Sequence, residues 1–186
     1  YNSGDIYRKL STAIFNDPSR RDTAKLIFLF FCYGMSRDRL VKISSDISGV
    51  PLSEMGQSIE NFFGRYQKLM TWRISIGDQV RSERRIGTPE GNYRELSTFD
   101  NFPSALRSAQ SQRIQGTASL ILKRCMIEIE RQLPYVHILL PMHDALLVQV
   151  PTESVAVYKN LLSEIFVTAY QCFCPSIVPQ VSFDSY

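Results

Sequence analysis

The 186-residue chain predicts an α+β fold in which a series of helices precedes a small antiparallel sheet. Three observations carry that prediction. Apolar residues recur at helical spacing as far as Leu133. A turn-rich stretch marked by Gly77, Gly87, Pro89 and Gly91 interrupts them once. Two apolar, β-branched-rich runs, Tyr135 to Leu140 and Ala145 to Val150, then flank Pro141-Met142-His143-Asp144 in the pattern of a hairpin between buried strands.

The elements follow in order. Ile6 to Phe15 reads as a short amphipathic helix, and Asp17-Pro18-Ser19 punctuates it, with Pro18 or Ser19 suited to opening the next helix. That second helix, over residues 19–34, carries "RRDTAKLIFLFFCYG" and is stopped by Gly34. Arg37 to Ile47 makes a third, ended by Ser48-Gly49, and Leu52 to about Ile76 a long fourth with Ile59, Phe62, Phe63, Tyr66 and Leu69 in helical register. Short strands are expected around Val80 and Arg85. Ser104 to Leu133 is helical, with a bend expected near Gln115-Gly116-Thr117 because glycine weakens a helix interior. After the hairpin, Pro151 ends its second strand, Val155 to Tyr170 is a helix, and Val178 to Phe183 a further strand.

A composition of 44% hydrophobic and 21% charged residues supports a substantial core and argues against disorder. The net charge of +3 is small, yet Arg65, Lys68, Arg73, Arg81, Arg84, Arg85, Arg94, Arg107, Arg113, Lys123 and Arg124 make the middle of the chain basic. Cys32, Cys125, Cys172 and Cys174 form no CxxC pair, which with two histidines argues against a zinc site and for reduced, buried thiols in an intracellular compartment. No apolar run approaches the roughly 20 residues of a membrane span, so no membrane partner is expected. The chain begins on Tyr1 without an initiator methionine, as a fragment would.

Three features carry chemistry. On the second helix, residues four apart stack on one face, so Arg21, Lys25, Leu29 and Tyr33 form a graded stripe. Its first half offers a guanidinium fork and an ammonium suited to a polyphosphate, and its second half an aliphatic side chain and an aromatic ring suited to a sugar and a base. Periodicity alone fits equally a core helix, anchored by Ile27, Phe28, Phe30 and Phe31, whose charges merely reach solvent. At the hairpin, Asp144 is rigidly placed yet exposed, as a Mg²⁺ ligand must be, and His143 beside it can touch a phosphate; both residues also suit a turn for plain backbone reasons. Gln115-Gly116-Thr117-Ala118, preceded by Arg107, offers groups that pair with base edges and sugars in a minor groove. A Ser-His-Asp hydrolase is disfavoured, because there is no GxSxG elbow.

In this order and spacing the features resemble the family A DNA polymerases, the class of bacterial polymerase I and related phage and organellar replicases. The resemblance runs from about Asp5 to Val150. "RDTAKLIFLFFCYG" is similar to the O helix of the fingers, with Arg, three residues, Lys, seven residues, Tyr-Gly. "QGTASLILKRCMI" resembles the family's QGTAADIIKRAMI helix, "MHDALLVQVP" the palm hairpin written HDE, and "GDIYRKLSTAIF" the segment DIHxxTAxxIF.

The resemblance implies a helical fingers subdomain inserted into part of an antiparallel palm sheet, with fingers at residues 1–98 and the C-terminal palm portion at 99–186, its hairpin at 135–150. Arg21 and Lys25 would bind the triphosphate of an incoming dNTP, Leu29 would face its sugar, and Tyr33 with Gly34 would form the pivot beside the nascent pair. Arg107, Ser111 and Gln115 fall at positions that contact primer-template DNA. His143 would approach the primer terminus. Asp144 would be one of two aspartates holding a catalytic Mg²⁺ pair. The other belongs to a DYSxxELR-like motif that in the family precedes the DIHxxTA segment, so an upstream segment or partner chain must supply it. Localisation would be the cytoplasm of a bacterial or phage-infected cell, with an organelle as the alternative.

Departures from the family pattern are specific. Ala145 stands where HDE has its Glu, Ser111 where the family has Asn, and Leu29 where it has Phe or Tyr. The competing reading is a non-catalytic nucleic-acid-binding module that keeps the fingers and palm surfaces.

Overall fold

A computed structural model of the chain describes residues 5–97 and 101–184. The chain forms two compact units that meet in sequence at Arg113 and Ile114.

The first unit begins with α1 (Ile6–Phe15), whose N-cap Asp5 accepts the Tyr7 backbone N–H at 2.9 Å. Asn16, in the left-handed region, ends it. Asp17 then accepts from both the backbone N–H and the hydroxyl of Ser19, capping a 3₁₀ turn at Pro18–Arg20 that runs directly into α2 (Arg21–Cys32). The sequence signal at Asp17-Pro18-Ser19 is thus a turn, and the helix proper opens on Arg21 itself. Ala24, Ile27 and Phe31 are its buried face, with Phe28 and Phe30 half-buried against the same core. Next come α3 (Arg37–Ser48), stopped by left-handed Gly49, α4 (Leu52–Phe63) and α5 (Gln67–Glu83).

The long fourth helix of the sequence reading is therefore two helices. Its apolar residues also divide between two cores, with Leu69 and Met70 at the start of α5 still on the first. Met55, Ile59, Phe62 and Phe63 pack with Leu10, Ile27, Phe31 and Leu40, whereas Ile76 and Val80 pack with Ile86, Leu96, Ala105 and Ala109. Tight bonds from Arg65 and Tyr66 back to Phe62 and Phe63 redirect the chain between them. Gly77, read as a turn marker, lies buried inside α5, where Phe102 and Leu106 stand 3.9 Å from the place of a side chain. A methyl group there would make only ordinary van der Waals contacts, so neither a turn nor a close approach requires glycine. Val80 is likewise helical, so only β1 (Arg85–Gly87) remains of the two expected strands there, paired antiparallel with β2 (Tyr93–Glu95).

Helix α6 (Phe102–Gln132) continues through Gln115-Gly116-Thr117 without interruption, and its second half opens the second unit. There β3 (His137–Met142) pairs antiparallel with β4 (Ala145–Gln149), and α7 (Val155–Gln171) follows. Cys125, Ile129 and Leu133 of this part pack with Leu162, Ile165 and Ala169 of α7, while Ile138, Leu146 and Val148 of the hairpin lean on the same cluster. Only one face of the hairpin is covered, so the expectation of two buried strands is corrected: Leu139, Leu140 and Met142 are exposed. Residues 177–184 form no strand, because Pro179 lacks an N–H for a ladder and none of the described strands pairs with this segment. Cys125 is buried, but Cys172 is exposed at the end of α7, against the expectation of four buried thiols.

Candidate nucleotide and nucleic-acid site

In the first unit, α2 turns Ala24, Ile27 and Phe31 inward, which leaves Arg21, Lys25 and Leu29 on its outer flank. Lys25 is exposed and forms no ion pair with a described residue. Arg21 is engaged: its Nε donates to Asp5 Oδ2 at 2.5 Å, Nη1 lies 3.4 Å from Asp22, and the guanidinium sits 5.2 Å over the Tyr7 ring. The hydrogen bond from Arg21 holds the Asp5 carboxyl below its ordinary value and raises the Arg21 pKa in return. Asp5, quoted in the sequence only as part of a motif, thus caps α1 and orients the first cation of the stripe. Its position immediately before a helix was the available signal.

Tyr33 caps α2, donating its backbone N–H to Leu29 O at 2.8 Å, and Gly34 follows at φ +83°. This turn is seated on α6. A side chain at Gly34 would meet Gln110 Oε1 at 2.2 Å and the Arg107 Cα at 3.1 Å, so only glycine fits both the backbone conformation and the approach. Two features predicted separately, the Tyr33-Gly34 pivot and the Arg107 region, are therefore in contact. Arg107 is exposed and Ser111, four residues on, is half-buried on the same face. Gln110 between them is 0% exposed, with neither side-chain polar atom hydrogen-bonded.

The turn has a second support that sequence reasoning did not single out. Arg73 of α5 lies 4.0 Å over the Phe31 ring, which stacks on Phe63 at 3.6 Å, and Nη2 reaches Met35 O at 3.4 Å. Burial lowers the Arg73 pKa and pushes the nearby Cys32 thiol up to about 11. An arginine flanked by Trp72 and Ile74 carries no pattern that marks it as a clamp.

In the second unit, Met142 pairs with Ala145, which makes His143-Asp144 a two-residue hairpin tip. His143 takes φ 49°, a left-handed conformation, and both side chains are exposed. Asp144 lines a cleft of about 570 Å³ that also includes Leu122, Phe166, Ser182 and Asp184. Among the described residues no three His, Cys, Asp or Glu side chains gather into a metal-binding group. Asp144 alone fits the role of a single hard oxygen ligand, the kind Mg²⁺ takes in ones or twos alongside water and phosphate. Gln115 is exposed on the part of α6 in this unit. No described helix is long and apolar enough to cross a membrane.

Known proteins resemble this chain over almost its whole length. The family described as DNA polymerase family A matches residues 1–181. DNA polymerase I, thermostable, of Thermus filiformis is 28% identical over 166 residues, covering 86% of this chain and 19% of that protein. DNA polymerase I of Deinococcus radiodurans is 27% identical over 187 residues, 94% of this chain and 19% of its own length. The chain thus spans about a fifth of these relatives. Among solved structures, the POL domain of Pol1 from M. smegmatis in complex with DNA primer-template and dNTP matches with a TM-score of 0.78 at 24% identity, over 91% of this chain and 32% of that one. That likeness speaks for the fold. With the family match extending over nearly every residue, the chain belongs to DNA polymerase family A.

Proposed function

We propose that the chain works as the C-terminal part of a DNA polymerase that transfers nucleotides from dNTPs to a primer 3′-hydroxyl. The observation that carries the reading is the seating of the Tyr33-Gly34 turn on the Arg107–Gln110 turn of α6, which couples a nucleotide-facing helix to a DNA-facing one. On this reading residues 1–98 are fingers and 99–186 the C-terminal palm portion. The relatives, named as DNA polymerase I, support it.

Arg21 and Lys25 hold the triphosphate, Arg21 through the guanidinium edge that Asp5 leaves open. Leu29 lies along the sugar, and Tyr33 stacks beside the nascent pair. Arg107, Ser111 and Gln115 donate to primer-template DNA. The primer 3′-oxygen attacks the α-phosphate in line, and the bond to pyrophosphate breaks. His143 approaches the primer terminus, and Asp144 supplies one carboxylate for Mg²⁺, with the other from an upstream segment or a partner chain. When bound, Mg²⁺ neutralises charge on the phosphoryl oxygens. Burial of two thiols accords with an intracellular setting.

Ala145, standing where the family pattern has Glu, favours one other reading, a nucleic-acid-binding module without catalysis. Primer extension with Mg²⁺ and dNTPs separates the two, comparing the chain alone, the chain joined to an upstream segment bearing a DYSxxELR-like motif, and that assembly with Asp144→Ala. Extension only by the unsubstituted assembly supports the polymerase. Primer-template binding without extension in any sample supports the module.

A further inference from the structure

Away from the nucleotide stripe, α1 and α4 enclose a cleft of about 580 Å³ whose chemistry the proposed reaction does not use. Each helix presents one face to it. Arg8, Lys9 and Thr12 come from one turn of α1, and Asn61, Phe62 and Arg65 from the last turn of α4 and the residues just after it. The lining contains cations and no carboxylate. Arg8 is held only loosely, 3.9 Å from Asp5 with 68% of its side chain exposed, and Arg65 forms no ion pair with a described residue. Asn61 accepts from Gln57 through Oδ1 at 2.9 Å, so its amide N–H groups remain as donors. Phe62 is a buried apolar floor, and Tyr66, its ring 5.2 Å from Phe62, stands 37% exposed at the rim.

Cations with an aromatic ring are the pairing that holds single-stranded nucleic acid, where charge tracks the phosphates and the ring stacks a base. The volume is ample for a nucleotide, lying within the roughly 300–1,000 Å³ range of small-molecule sites, and a lone phosphate would leave the aromatic rim idle. We infer that the α1–α4 cleft is an accessory site for a single-stranded DNA segment, with phosphates on Arg8 and Arg65 and a base on Tyr66. The occupant's identity as DNA rests on the polymerase reading; the cleft's preference for a strand over a free anion does not.

The test is fluorescence anisotropy of a labelled oligothymidylate with the full chain across a salt series, using Arg8→Ala/Arg65→Ala and Tyr66→Ala variants. The double variant is expected to flatten the slope of log affinity against log salt by about 1.4, since each lost contact to a single strand removes roughly 0.7. Tyr66→Ala is expected to weaken binding by roughly five-fold or more at unchanged slope, the loss of one stacked base. Unchanged melting temperatures identify both variants as folded, as the exposure of these side chains requires. Wild-type affinity and slope in both variants overturn the site, and so does displacement of the oligonucleotide from the cleft by inorganic phosphate at equal charge. A Lys25→Ala assembly assayed for nucleotide incorporation keeps the readings apart. Normal incorporation there counts against the polymerase assignment and leaves the oligothymidylate result standing on its own.

Discussion

Replacing Gly34 by alanine tests how the pivot turn is seated. Gly34 has φ +83°, a conformation that costs an L-residue roughly 1–2 kcal/mol. The new Cβ would stand 2.2 Å from Gln110 Oε1 and 3.1 Å from the Arg107 Cα, and the second of these is backbone that cannot swing aside. Gln110 is a flexible side chain in principle, but it is fully buried, so displacing it overpacks its surroundings at roughly 1–3 kcal/mol. Together the two costs predict a loss of about 2–5 kcal/mol in unfolding free energy. Urea denaturation of the full chain in a double-mutant cycle with Gln110→Ala separates them. Removing the amide should return about 1–3 kcal/mol of the Gly34→Ala penalty and leave the backbone part. A penalty under about 0.5 kcal/mol, or one equal with and without the Gln110 side chain, would refute the contact as the reason for glycine.

Other expectations follow from the same coordinates. Gln110→Leu should stabilise the chain by about 1–3 kcal/mol in the same urea assay, because it removes a buried amide without hydrogen bonds; destabilisation would show that the amide has a partner that matters. Leu29→Tyr should relax discrimination against dideoxynucleotides by the assembled enzyme, since leucine has no hydroxyl to stand in for a missing 3′-hydroxyl; equal incorporation by both variants would count against Leu29 facing the sugar. At pH 8, alkylation followed by mass spectrometry should modify exposed Cys172 first. Cys125, buried and pushed up to about 11, should resist, and early loss of the Cys125 thiol would contradict its burial. The Asp5 carboxyl is lowered from 3.8 by Arg21, so the unfolded chain takes up its proton first as acid is added. The stability from that link is therefore complete above the ordinary value and lost as pH falls through the lowered one. Asp5→Asn should make unfolding less sensitive to pH in that window, and an unchanged acid profile would remove Asp5 from the account.

What was legible in the sequence was local. Asp17-Pro18-Ser19, Gly34, Gly49 and the His143-Asp144 tip announce themselves because caps and turns restrict which residues fit. The helical stripe from Arg21 to Leu29 was legible for the same reason, since spacing of four fixes a face. Gly77 misled because a glycine marks a turn only where the backbone needs one, and Gly77 lies in the interior of a regular helix. The division between α4 and α5 was hidden because Phe62, Tyr66 and Leu69 keep helical spacing across the turn that the bonds from Arg65 and Tyr66 make. Gln110 and Arg73 were invisible as site elements because their meaning lies in what they touch, Gly34 in one case and Phe31 with Met35 O in the other.

Those contacts bear on how the stripe can work at all. On the proposed reading a triphosphate would bring several negative charges to α2, where Asp5 already occupies Arg21 through Nε. The two anions do not compete for the same donors, because a guanidinium presents five N–H groups on separate edges. Asp5 holds one edge and, together with the Tyr7 ring at 5.2 Å, limits the rotation of a side chain that otherwise carries about 2 kcal/mol of rotamer entropy. Lys25, exposed and in no ion pair with a described residue, would contribute charge that is free to follow the phosphate. The stripe thus combines one cation set in advance with one that adapts. On that division of labour Asp5→Ala should impair nucleotide binding even though it deletes a negative charge. Plain electrostatics predicts the opposite sign, so the direction of change in dNTP affinity decides whether Asp5 orients Arg21 or merely neutralises it.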